Sequence, residues 1–103
     1  MPDLQEQRIL LTHADRFMGP TLGGVLSRHG AEVIASTEAL LAADEAEAVV
    51  ASAGRVDALI IHWAIPAPQT AAEAIGDDEW REAFAAMVDP MPRLVRAVLP
   101  QMQ

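Results

Sequence analysis

Two short apolar runs, Arg8-Ile-Leu-Leu-Thr12 and Glu32-Val-Ile-Ala-Ser36, flank a segment whose apolar residues recur at helical spacing, and this limits the chain to few folds. A continuous apolar run without polar alternation marks a strand covered on both faces, as in a parallel sheet. Between the runs, Pro20 suits the first turn of a helix, Leu22, Val25 and Leu26 recur along one face with His29 one turn on, and Gly30 is placed to stop it. Strand, helix and strand within about 30 residues form a βαβ unit, whose crossover is right-handed. The expected class is therefore α/β.

The rest of the chain extends that unit. Thr37 to Gly54 is rich in alanine and glutamate and predicts a helix over about Asp44 to Ala53, with Leu40, Leu41, Val49 and Val50 for its buried face and Gly54 as its stop. Val56 to His62 is a further buried parallel strand, followed by the loop Trp63-Ala64-Ile65-Pro66-Ala67-Pro68, which its prolines stiffen. Loops at the carboxyl ends of such strands are where α/β proteins bind ligands. From Asp77 or Asp78, either of which suits a helix cap, apolar residues follow a 3.6-residue period from Trp80 to Met102. Pro90 and Pro92 interrupt that period, so a kink or break is expected there.

Composition narrows the partners. A net charge of −8 repels nucleic acid and anionic membranes. The absence of cysteine removes disulfides and thiolate metal sites, and His13, His29 and His62 lack zinc-ligand spacing. No apolar run approaches a membrane span and the first eight residues are polar, so a cytoplasmic, metal-free protein acting on small molecules or proteins is expected. At 103 residues the chain is one small domain.

The turn out of the first strand carries the chemistry. Thr12-His13-Ala14-Asp15-Arg16-Phe17-Met18-Gly19 sits where a dinucleotide-binding fold places glycines, so that backbone can approach a pyrophosphate. Only Gly19 keeps that character; His13 and Phe17 put bulk at the other two positions. Together with Gly30-Ala31-Glu32-Val33, Gly54-Arg55-Val56-Asp57-Ala58-Leu59, Trp80 and Arg96-Ala97-Val98-Leu99-Pro100-Gln101-Met102, this turn resembles the amino-terminal half of a short-chain dehydrogenase/reductase, from Arg8 to Gln103. The resemblance implies a Rossmann-like three-layer αβα architecture around a parallel sheet, residues 1–103 being one partial domain without the carboxyl-terminal catalytic half.

The departures from that family form a set. Its Asn-Asn-Ala-Gly turn is replaced by His62-Trp63-Ala64-Ile65, Met87 stands where the long helix carries a network asparagine, and uncharged Ser36 ends the second strand where an acidic residue commonly holds the adenosine ribose. Thr, four residues, an aromatic, one residue and Gly is the fingerprint of a branch that uses no nicotinamide, the halohydrin dehalogenases, and Thr12, Phe17 and Gly19 satisfy it. The likeness is to the B-type and related enzymes. It implies a halide and substrate pocket at Thr12, Phe17, Gly19, His62, Trp63, Ile65 and Pro66, no cofactor, and a vicinal haloalcohol converted to an epoxide plus halide. The serine, tyrosine and arginine of that reaction belong to the second half of the fold, so no catalytic residue is assigned here and the chain alone is expected to be inactive. A truncation, a fragment or a subunit completed by another chain all fit.

Blander roles stand beside these. Phe17 also suits a core aromatic at a strand-to-helix turn, His13 a loop residue bonded to backbone, and His62 with Trp63 the packed end of a strand. Met87, Met91 and Met102 suit a core or oligomer face. Asp44, Glu45 and Glu47 suit a solvated helix face, and Asp77, Asp78 and Glu79 suit charges facing a helix dipole. Two rival functions remain: a non-catalytic short-chain dehydrogenase/reductase-like subunit of a hetero-oligomer, and a reductase binding NAD or NADP through an atypical loop; the expected protein partner is a second copy in a homo-oligomer or a completing subunit, met through Trp80 to Met102.

Overall fold

The computed structural model describes residues 3–66 and 69–103. Its strands are β1 (Arg8–Leu11), β2 (Glu32–Ala35) and β3 (Ala58–Ile60), all parallel and ordered β2-β1-β3. Its helices are α1 (Gly19–Arg28), α2 (Glu45–Ala53), α3 (Asp77–Met87) and α4 (Pro90–Met102), with a 3-10 turn over Ala72–Ala74. Leu10 lies beside Ile34 and Leu59 in register, Leu11 beside Ala35 and Ile60. Because alternate residues face opposite sides, the central strand feeds two layers. Leu10 joins Ala46, Val50 and Ala53 of α2 and Leu94 and Val98 of α4 in one core. Leu11 and Val33 meet α1 on the other face, around Gly23. The result is a three-layer αβα fragment with a Rossmann-like parallel sheet.

The helix boundaries follow local chemistry. Pro20 lies in the first turn of α1 and Gly30, at φ +96°, follows its end in a conformation that disfavours a side chain. The expected break in the long apolar segment lies at Val88 and Asp89, with Pro90 opening α4, where a missing N–H costs no intrahelical bond. Arg8 anchors the start of β1 by donating to the carbonyls of Ala53 and Arg55 at 2.8 Å each. Gln101 ties the far end of α4 to the same turn, accepting from the Val56 N–H at 2.8 Å.

Three expectations need correction. Leu41 is 55% exposed rather than buried, because α2 starts only at Glu45 and Leu40 enters the core from the preceding loop. Leu40 does so at φ +63°, its N–H donating to the Glu45 carboxylate at 3.2 Å while the Ala42 N–H donates at 2.9 Å. Glu45 is thus a bracket for that loop and not simply a solvated charge. Neither Asp77 nor Asp78 caps α3: Gly76 holds that position and the acids lie in the first turn, facing the positive end of the helix dipole.

Candidate functional site

The carboxyl ends of β1 and β3 meet at Thr12 and His62. Thr12 is fully buried, and its hydroxyl donates to the His62 carbonyl at 2.7 Å and accepts from the His62 N–H at 2.8 Å. One side chain therefore takes up both backbone groups of the residue that leaves β3. Neither backbone group could stay unpaired there without cost.

His62 Nδ1 lies 3.2 Å from the Thr12 carbonyl oxygen and 3.1 Å from that of His13, so it carries the proton and donates to both. His13 reaches in the opposite sense, its Nδ1 accepting from the Ala64 N–H at 3.1 Å. The His13 ring meets Trp63 edge-on at 4.9 Å, and Phe17 lies parallel to His62 with centroids 6.3 Å apart. Burial, then the neighbouring His62 and Arg16 charges, hold the His13 imidazole below its ordinary pKa of 6.5, against the pull of Asp15 and of the Ala39 carbonyl. His13 is the backbone-bonded loop residue that the sequence suggested.

The turn itself is tight. His13 and Phe17 both have positive φ, +47° and +51°, values that glycine adopts without cost. Gly19 has a different reason: a Cβ there would come 2.5 Å from the Ala14 carbonyl oxygen. Its part is to let the start of α1 pass against the loop.

Thr12, Phe17, His62 and Trp63 are thus neighbours at the carboxyl ends of β1 and β3, with Gly19 at the start of α1 close against the same turn. Phe17 is 80% exposed, its ring covering His62 from outside. Ile65 and Pro66 belong to a neighbouring cavity of about 600 Å³, shared with Leu41 and with Glu79, Glu82 and Met87 of α3. Ala67 and Pro68, the end of the loop read from sequence, lie outside the described residues. Two groups were missed from sequence: Leu41 as a cavity wall, and the hydroxyl of Ser36, buried without a hydrogen-bond partner at the end of β2. Nothing in the local pattern signals either, since both depend on where the loop after β2 turns. Among the described residues no group of three acidic or histidine side chains could hold a metal ion, and no helix is long and apolar enough to cross a membrane.

No protein-family model matches the chain, and no curated protein does. Solved structures do. A protein from Pseudomonas syringae described as a short chain dehydrogenase superposes with a TM-score of 0.83 at 22% identity, over 96% of this chain and 53% of its own. A doubly substituted short-chain dehydrogenase/reductase from Serratia marcescens gives 0.84 at 17%, over 99% and 55%. The NADH-dependent reductase A1-R′, complexed with NAD, gives 0.74 at 16%, over 95% and 52%. The fold is that of short-chain dehydrogenases. The chain spans about half the length of these structures, and its strand order and helices fit their Rossmann-like architecture.

Proposed function

We propose that this chain is the amino-terminal half of a cofactor-independent, halohydrin dehalogenase-like protein that acts on vicinal haloalcohols or epoxides. The observation that carries this is the replacement of two glycines of the nucleotide turn by larger side chains, His13 and Phe17. An imidazole bonded to the Ala64 amide and a phenyl ring over His62 occupy the two positions where a dinucleotide turn offers glycine backbone to pyrophosphate. In the proposed reaction a tyrosine of the missing half takes the substrate hydroxyl proton. The alkoxide oxygen then bonds to the adjacent carbon as the carbon–halogen bond breaks, and halide leaves with the electron pair. Phe17, with the His62 to Pro66 loop, lines the halide and substrate pocket, and the reverse reaction opens epoxides with small anions.

A specific observation favours a second reading, an oxidoreductase binding NAD or NADP through an atypical loop: a reductase complexed with NAD shares the fold over this segment. Calorimetric titration separates the two. Bromide binding that disappears in Phe17→Gly, with no heat from NADH or NADPH, is the expected result; micromolar affinity for either nucleotide would overturn the dehalogenase assignment. Silence toward all three ligands would favour a non-catalytic subunit.

The partner we propose is a second copy meeting α3 and α4 of the first in antiparallel fashion. Trp80, Phe84, Val88, Met91, Val95, Leu99 and Met102 form an exposed apolar stripe along both helices. Asp77, Asp78, Glu79 and Glu82 outweigh Arg81 on α3, whereas α4 carries Arg93 and Arg96 and no acid. Antiparallel copies set unlike charges beside each other.

A further inference from the structure

Leu41 and Pro66 are exposed apolar residues of two different loops, and with one side of α3 they line a cavity of about 600 Å³. That is the size of a small-molecule site. Ile65 and Met87 extend the apolar wall, and on the helix side Ala83 and Ala86 contribute only methyl groups. The charged groups of this cavity have one sign. Glu79 and Glu82 stand about one helical turn apart on α3, on the same side as Ala83 and Ala86, and among the described residues no basic side chain lines the cavity. Asp78, outside the cavity, is paired with Arg81 at 2.9 Å, whereas neither Glu79 nor Glu82 forms an ion pair among the described residues. Glu79 is held instead by Thr70, whose hydroxyl donates to its carboxylate at 2.7 Å.

Two carboxylates a turn apart on a helix repel each other, and apolar walls beside them concentrate their field instead of screening it. A cation between them relieves both effects. Two carboxylates are too few for a calcium-like ion, and among the described residues no third acidic or histidine side chain joins them to hold a metal. The charge therefore belongs to an organic group, and the apolar remainder of the wall calls for a hydrocarbon body on it. We propose that the cavity between α3 and the loops after β2 and β3 binds a small organic ammonium ion, its nitrogen between Glu79 and Glu82 and its body against Leu41, Ile65 and Met87. Ile65 and Pro66 belong to the loop assigned above to substrate, but neither Phe17 nor His62 lines this cavity, so the inference does not rest on the dehalogenase reading.

Cyclohexylammonium chloride titrated into the 103-residue chain at constant ionic strength, followed by the methyl resonances of Ala86 and Met87, tests this. Saturable shifts are expected. Affinity should be about tenfold weaker for cyclohexanol, which keeps the ring without the charge, and cyclohexanecarboxylate should cause no shift. Glu79→Gln combined with Glu82→Gln should lower the ammonium affinity to that of the alcohol. Glu82 is exposed, so Glu82→Gln alone, with a several-fold loss expected, keeps the test open if changing the partner of Thr70 disturbs the fold. Equal affinity for all three compounds, no shift with the ammonium ion, or an ammonium titration unchanged in the glutamine variants would overturn the proposal. Phe17→Gly should leave the ammonium titration as it is, even where it abolishes bromide binding, so the two proposals fail separately. Loss of the ammonium shifts in Phe17→Gly would overturn a cation site confined to this cavity.

Discussion

Gly19 and His13 show how differently two residues of one loop are constrained. A methyl group at Gly19 meets backbone of Ala14 at 2.5 Å, and backbone yields less readily than a side chain. Gly19→Ala is expected to destabilise the fold by about 1–3 kcal/mol, measured by urea denaturation, as overpacking does elsewhere. His13 is constrained by its proton. Its folded pKa lies below the unfolded value, so the unfolded chain binds more protons and stability rises with pH through that window. The contribution is fully present above about pH 6.5 and is lost as pH falls from there through the folded pKa. His13→Asn should flatten this part of the stability profile, because an amide oxygen still accepts from the Ala64 N–H, tolerates positive φ and does not titrate. Denaturation midpoints between pH 7.5 and 5 that fall equally for both proteins would contradict it.

At the scale of elements, α4 is held at both ends by different means. Leu94 and Val98 bury themselves against α2 and Leu10, while Gln101 bridges the turn between α2 and β3 by accepting from Val56 N–H and donating to the Gly54 carbonyl at 3.2 Å. Gln101→Leu leaves a part-buried amide without its acceptor, and a loss of about 1–2 kcal/mol is expected. Hydrogen exchange at the Val56 amide should rise in that variant while exchange within β1 stays slow, which checks that the effect is local. The strands were legible in the sequence because each is a short apolar run bounded by polar residues, and the α3–α4 break was legible because Pro90 has no N–H to continue α3; Pro92, in the first turn of α4, does not interrupt it, and Pro100 lies inside that helix. The loop from Thr37 to Asp44 was not. Leu40 and Leu41 are adjacent and alike, and only the left-handed turn bracketed by Glu45 decides that the first is buried and the second exposed.

For the whole molecule, the exposed stripe from Trp80 to Met102 and the opposite charges of α3 and α4 direct attention to self-association. Val95 lies mid-stripe on α4 and is 41% exposed, so Val95→Glu should leave the fold intact and lower the association constant by an order of magnitude or more. Sedimentation velocity across a concentration series measures this, and raising the salt concentration should weaken the wild-type association, since exposed ion pairs are screened. An unchanged mass in Val95→Glu would move the interface elsewhere. The sequence by itself determined the βαβ order, the parallel sheet and the loss of two glycines from the first turn, because these follow from local periodicity and residue size. Only the tertiary structure decided what fills the place of those glycines. The His13 tautomer and the sharing of the Thr12 hydroxyl with His62 join residues that the chain keeps 50 or more positions apart, and hydrogen bonds between strand ends leave no periodic mark on a sequence.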